Sequence, residues 1–273
     1  MTLGENICYF LNQNFDKITS KRPVYHNDDA SKYSSPLACQ VVEYNRGDLE
    51  WNFFKDFIPS LDNKRILDAG CGFGGRSVHY ALKNASVIGI DIKPDRFKMA
   101  NEFARHHGVE NKVVFQVADA SALPFDSNSF DIVISNNAMQ YIARPVEALN
   151  EFKRVVKPGG LICVNFGPPW LAPICPETGS CFPWTHIIFS QESIRNSFVR
   201  MGKGYMFINS DRDIFKYNNK LTIRKFRELL NKANYDVINF KLWTRPYVAP
   251  FLHIPILKEY FCAQIISIAK KSA

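Results

Sequence analysis

The stretch 65-RILDAGCGFGGRS-77 decides how the rest of the chain is read. A short apolar run ends on Asp68, and four glycines follow within positions 70–75. Such a run reads as a buried strand. Glycines placed directly after it read as a sharp turn where a neighbour comes too close to the backbone for a Cβ. The loop opens a helix predicted over 75–84, whose first N–H groups have no intrahelical partner and favour a polar or negative ligand. Toward the C-terminus the pattern repeats. Strand 86–91 precedes helix 95–108, with Pro94 near its start and Gly108 at its stop. Strand 112–119, strand 130–137, helix 145–156, the turn 157-KPGG-160 and strand 161–167 follow. Short apolar strands alternating with helices predict a parallel sheet covered on both faces.

Outside this run the rhythm changes. Ile7, Phe10, Leu11 and Phe15 recur at helical spacing, a polar loop covers 26–36, and 48-DLEWNFFKDFI-58 reads as an amphipathic helix with Asp48 as its N-cap. Beyond Phe166, residues 167–184 carry five prolines, and 168–220 reads as an insertion over a substrate. Helix 221–233, strand 235–243 and a last strand 261–269 then complete the sheet. The expected organisation is an N-terminal helical segment (1–60), a ligand-binding core (61–167), a cap (168–220) and a C-terminal part of the core sheet (221–273).

Bulk properties narrow the class. The chain has 273 residues, 46% of them apolar and 14% aromatic, enough for a large hydrophobic core. Lys and Arg exceed Asp and Glu by 34 − 26 = 8, but the basic residues are spread along the chain and read as solvated faces. The seven cysteines are scattered, with no CxxC, and Cys175 and Cys181 have no second pair at zinc spacing. Neither a metal site nor a disulfide framework is expected. The start MTLGENICYFLNQNFD lacks a basic region followed by an apolar run, so no secretory signal is read there. No apolar stretch reaches the roughly 18 residues of a membrane span. The cytosol is the expected compartment, without stable membrane insertion.

What the glycine loop binds can be argued from its acids. Gly70, Gly72 and Gly75 match G-x-G-x-x-G, and Asp91 closes the second strand 21 residues after Gly70. Both features suit either NAD or an adenosyl ligand, because an acid there can hold a ribose through its hydroxyls. Asp68 separates the two. A carboxylate is poorly placed beside a pyrophosphate and well placed beside an ammonium group. Asp119, followed by Ala120, ends the third strand and can accept from an adenine amino group. The implied ligand has an adenosine and a cationic amino-acid tail, which describes S-adenosylmethionine.

These segments together carry a resemblance. Through 67-LDAGCGFGG-75, 89-GIDIKP-94, 118-ADASALPF-125, 130-FDIVISNNAMQYI-142 and 154-RVVKPGG-160 the chain resembles class I S-adenosylmethionine-dependent methyltransferases of the small-molecule type, including the quinone-biosynthesis C-methyltransferases. The resemblance implies an α/β, Rossmann-like seven-stranded, mostly parallel sheet whose last strand runs antiparallel. It implies S-adenosylmethionine as cofactor and S-adenosylhomocysteine as product. It places Gly70 and Gly72 along the methionine portion, Asp68 near its amino group, Asp91 with Ile92 at the ribose, Asp119 and Ala120 at the adenine, and Asn136 toward the methionine end. Tyr25 and Tyr33 precede the core where similar enzymes fold a segment over the cofactor, so either could reach the methionine carboxylate. One departure stands out: many members have a histidine where this chain has Tyr141.

The expected activity is methyl transfer to a small, aromatic or apolar acceptor, by a monomer or homodimer. Tyr141 and His186 are the candidate catalytic bases, the latter because 183-PWTHIIF-189 lies in the cap. His79 reads as a packed or exposed helical residue. The rivals are a lipid or quinone methyltransferase docking at a membrane, a cofactor-binding protein that transfers no methyl, and an NAD-dependent oxidoreductase. The motif 167-GPPW-170 is similar to a loop of enzymes that methylate nucleic-acid amines, but it follows the fifth strand instead of the fourth, so no nucleic-acid partner is expected.

Overall fold

The computed structural model describes residues 2–19, 36–173, 182–201 and 218–272. Its contacts divide the chain into two compact units. One holds residues 35–166, 225–241 and 265–273, and the other holds 1–34, 167–224 and 242–264.

The first unit is built on a seven-stranded sheet. Its strands are β1 (Arg65–Ala69), β2 (Ser86–Asp91), β3 (Val113–Val117), β4 (Phe130–Asn136), β5 (Val156–Phe166), β6 (Asp236–Trp243) and β7 (Gln264–Lys270), in the order β3-β2-β1-β4-β5-β7-β6. The five strands β1 to β5 pair in parallel, and β7 runs antiparallel to β5 with Phe166 opposite Ile265. The Rossmann-like sheet with its antiparallel last strand is therefore present as the sequence predicts. Chain order reverses between β1 and β4, and the crevice at the carboxyl ends of strands around such a reversal is where doubly wound sheets bind ligands. The glycine loop leaves β1 at that point.

Ile66, Val87, Ile132, Ile134, Cys163, Ile266 and Ile268 on the sheet pack with Val78 and Tyr80 of helix α4 (Gly75–Leu82). Phe54, Ile58 and Leu61 join the same core. Helix α5 (Phe97–His106) follows a 3-10 turn at Pro94–Arg96, and α6 (Pro145–Val155) begins on the proline that its first position tolerates.

Three local expectations change. The helix expected over 48–58 is α3 (Gly47–Trp51) alone, followed by turns. Asp48 lies in its first turn and caps nothing; its carboxylate pairs with Lys83 at 2.9 Å. Before α3 stands α2 (Pro36–Asn45), inside the segment expected to be helical. The segment KPGG is not a turn ahead of the fifth strand. β5 runs through it with an irregularity in the pairing with β4, and Gly159 takes the positive φ of 76° that this bulge requires. The last strand begins at Gln264, because Lys258–Phe261 are helical and the Glu259 carboxylate caps helix α9 (Ile223–Lys232) at the amides of Ile223 and Arg224.

In the second unit, α1 (Leu3–Thr19) packs on α8 (Gln191–Arg200) through Cys8, Ile194 and Phe198. The side chain of Asn196 donates to Glu5 at 2.7 Å, and Ser190 caps α8 by accepting from the Ser193 amide. The short helix α7 (Thr185–Ile188) precedes α8. Among the described residues no helix is long and apolar enough to cross a membrane.

Candidate active site

The glycine loop is tied down by the strand beside it. The amides of Gly70 and Cys71 both donate to the Ile90 carbonyl, at 2.9 and 2.8 Å. The Gly72 amide donates to Asp91 at 3.1 Å, and the same carboxylate accepts from the Lys93 amide and from Arg96, each at 3.0 Å. Asp91 thus fixes the loop at the carboxyl end of β2. Gly70, Gly72 and Gly74 all have positive φ, and a Cβ on Gly70 would stand 2.3 Å from the Ala138 side chain. The loop needs glycine both for its backbone angles and for its neighbours.

Asp68 is 1% exposed and accepts from the Ser77 hydroxyl at 2.6 Å. Burial pushes its carboxyl up to about 6, against the Ser77 hydrogen bond and the Arg76 charge. Arg76 forms a buried two-pronged pair with Glu50. The guanidinium is therefore held charged: burial opposes its proton, and the Glu50 carboxylate more than offsets that.

A third acid was missed by sequence reasoning. Glu43 of α2 accepts from the amides of Gly75 at 3.2 Å and Phe73 at 3.5 Å. Burial pushes it up to about 7 despite Arg76. The Cys71 thiol, driven far up by burial, also feels Asp68, Asp91 and Glu43. No motif marks Glu43; it reaches the loop only because α2 folds over it.

The remaining cofactor candidates sit on neighbouring strand ends. The Ala118 amide donates to the Asp91 carbonyl at 3.2 Å, joining the ends of β2 and β3. Asp119 accepts from the Ser121 amide at 2.8 Å and from Arg144 at 2.9 Å, and these partners hold it below the usual carboxylate range. Ala120 is buried, whereas Ile92 is 64% exposed. Asn136, 3% exposed at the end of β4, donates to the Tyr80 hydroxyl at 2.7 Å, and its Oδ1 is buried with no hydrogen-bond partner. Tyr141 closes a 3-10 turn just beyond, Met139–Tyr141. Tyr25 and Tyr33 lie outside the described residues, as do Cys175 and Cys181.

His186 belongs to the other unit. It is 5% exposed, its ring meets Trp170 edge-on at 5.0 Å, and its Nε2 hydrogen bonds the Trp170 carbonyl at 2.8 Å. A carbonyl only accepts, so the proton is on Nε2 and the buried, unpartnered Nδ1 carries the lone pair. Burial lowers its pKa, so the ring stays neutral near pH 7. His79 of α4 is buried and pairs with Asp48 of α3 at 3.3 Å, the packed one of the two helical roles expected of it.

The arrangement suits an adenosyl amino acid. Buried Asp68 and half-buried Glu43 favour a cationic group, and the orphaned Asn136 oxygen is an acceptor awaiting a donor. The family described as "Methyltransferase domain" matches residues 60–168, the segment that holds the glycine loop, Asp91, Asp119 and Asn136.

Residues 60–168 match a methyltransferase-domain family.

Relatives agree with the domain. The chain is 35% identical over 114 residues to norajmaline N-methyltransferase of Rauvolfia serpentina, covering 41% of this chain and 38% of that protein. It is 38% identical over 102 residues to the chloroplastic tocopherol O-methyltransferase of Arabidopsis thaliana, covering 37% and 29%. The matched part of these two curated relatives is thus well under half of their length. Among solved structures, a geranyl diphosphate methyltransferase in complex with SAM superposes with a TM-score of 0.58 at 15% identity, over 94% of this chain and 95% of that one. The [4+2]-cyclase SpnF superposes with 0.55 at 18% identity, over 83% and 81%. At these identities the likeness concerns the fold, and the methyltransferase domain shares it with a protein named a cyclase.

Proposed function

We propose that this chain is an S-adenosylmethionine-dependent methyltransferase acting on a small-molecule acceptor. The observation that carries the reading is the glycine loop anchored by Asp91 and faced by the carboxylates of Asp68 and Glu43 at the sheet's switch point. When bound, the cofactor supplies a methyl group already activated by its sulfonium. Asp91 and Ile92 would hold the ribose, and Asp119 with the Ala120 backbone would hold the adenine. Asp68 would take the ammonium group, Gly70 and Gly72 would line the amino-acid tail, and Asn136 would face the methionine end. Arg96 keeps Asp91 in place. An acceptor that must lose a proton needs a base, worth roughly 10²–10⁴-fold. Neutral His186, with its lone pair on Nδ1, and Tyr141 are the proposed candidates. The reading includes a cytosolic location, which the scattered cysteines support, and a monomer or homodimer.

A second acceptor class has one observation in its favour. Residues 243–258 contain no acid, carry Arg245 and Lys258, and expose Trp243, Tyr247, Ile254 and Ile256, the last at 74%. That composition suits the interface of an anionic membrane, where a lipid or quinone acceptor would be met. Titration calorimetry with S-adenosylmethionine, S-adenosylhomocysteine and NAD, on wild type and Asp91→Ala, tests the cofactor. Binding of both adenosyl ligands, lost in the variant and absent for NAD, supports it, and binding of NAD alone returns the loop to the dehydrogenases. Turnover of methyl-labelled cofactor against a metabolite panel, with and without anionic vesicles, then tests transfer and separates the two acceptor classes. A protein that binds the cofactor and never releases its methyl would have another function.

A further inference from the structure

Two of the loop's glycines face helix α2 and not open space. A Cβ on Gly75 would stand 2.3 Å from the Gln40 carbonyl oxygen and 2.7 Å from the Tyr44 amide nitrogen, and one on Gly72 would stand 2.6 Å from a Glu43 carboxylate oxygen. Side chains of α2 complete the contact. Gln40 donates to the carbonyls of Phe73 at 2.7 Å and Met99 at 3.2 Å. Glu43 accepts from Phe73 and Gly75. Both backbone polar groups of Phe73 therefore end on α2, and the Gly75 amide that opens α4 is already taken by a carboxylate. In an unaided glycine loop those amides receive a ligand's phosphate. Here an acid of the chain itself stands in that place, beside Asp68 and Asp91.

We propose that Glu43 is a positioning and specificity residue of the glycine loop: it fixes the Phe73–Gly75 backbone, turns away anions, and adds negative charge for the cationic amino-acid tail of S-adenosylmethionine. The inference rests on the cofactor reading above. Its groups are close enough to act together. Arg76 of α4, itself bound to Glu50, draws the Glu43 carboxyl down, while Asp68 of β1 pushes it up and Asp91 of β2 faces the same loop. The rings of His79 and His107 flank the adjacent Tyr44. Glu43 exchanges its proton near pH 7. Ionised, it attracts the cationic tail, so cofactor affinity rises with pH through that value.

The test is calorimetry with S-adenosylmethionine and with inorganic pyrophosphate, between pH 6 and 7.5, on wild type, Glu43→Gln and Glu43→Ala. Hydrogen exchange over residues 70–78 reports whether the loop stays in place. Glu43→Gln keeps an acceptor for the amides, so loop protection is retained while cofactor affinity falls about tenfold and loses its rise near pH 7. Glu43→Ala loses affinity and protection together and gains measurable pyrophosphate binding. Cofactor affinity and pH profile unchanged in Glu43→Gln would overturn the inference and leave the cofactor reading intact. If wild type itself bound no S-adenosylmethionine, both would fall.

Discussion

Replacing Asp68 by asparagine separates what the folded chain tolerates from what its ligand requires. The carboxyl is 1% exposed, and burial raises it from 3.8 to about 6. A group whose folded value lies above its unfolded value contributes stability that is fully present below the unfolded value and lost as pH rises through the folded one. The shift is roughly 2 pH units, so ionising Asp68 destabilises the ligand-free protein by about 3 kcal/mol between pH 4 and pH 6. Asparagine keeps an oxygen for the Ser77 hydroxyl and removes the charge. Ligand-free Asp68→Asn is therefore expected to be more stable than wild type at pH 8, by up to about 3 kcal/mol, with the advantage shrinking toward pH 4. Its affinity for S-adenosylmethionine is expected to fall about 10- to 100-fold, the usual worth of a hydrogen bond to a charged group. Urea unfolding at several pH values measures the first effect and calorimetry the second. A variant no more stable than wild type at pH 8 would refute the burial argument. One that binds cofactor as tightly as wild type would refute the role given to the carboxylate.

Other expectations follow from the same contacts. Arg76→Met strands the Glu50 carboxylate, 2% exposed, and is expected to lower stability by about 3–5 kcal/mol in chemical unfolding, with Glu50→Leu in the same chain restoring part of it. Gly75→Ala drives a Cβ into the α2 backbone, so amide exchange across 36–45 should accelerate and cofactor affinity should fall; unchanged exchange would mean that α2 does not seat as described. His186 should keep its proton on Nε2 and stay neutral below pH 6.5, visible in ring nitrogen NMR shifts. Because its folded pKa is depressed, acidification through the unfolded value should destabilise the protein, and His186→Phe should remove that component.

The sheet was legible because its signal is local and repeated. β1, β2 and β4 are buried on both faces, so each reads as an unbroken apolar run, and the glycine loop supplies a fixed register between them. Asp68, Asp91, Asp119 and Asn136 fall at strand ends, which places them on one edge of a parallel sheet once the strands are counted. The helix over 48–58 failed because its apolar residues, Phe54 and Ile58 among them, are packed by turns; burial alone produced the periodicity. The last strand was started three residues early, at Phe261, because Phe261 and Cys262 extend its apolar run, yet Phe261 closes the helical turn Lys258–Phe261 whose Glu259 caps α9.

The sequence by itself determined the Rossmann-like sheet and the edge on which its acids gather, since period and spacing fix which residues share a strand end. Only tertiary structure decided that α2 covers the glycine loop, that Glu43 takes the amides a phosphate would use, and that Arg76 and Glu50 neutralise each other in the interior. Those contacts join residues 26 to 32 positions apart, and no periodicity within a segment records which distant carboxylate an amide will meet.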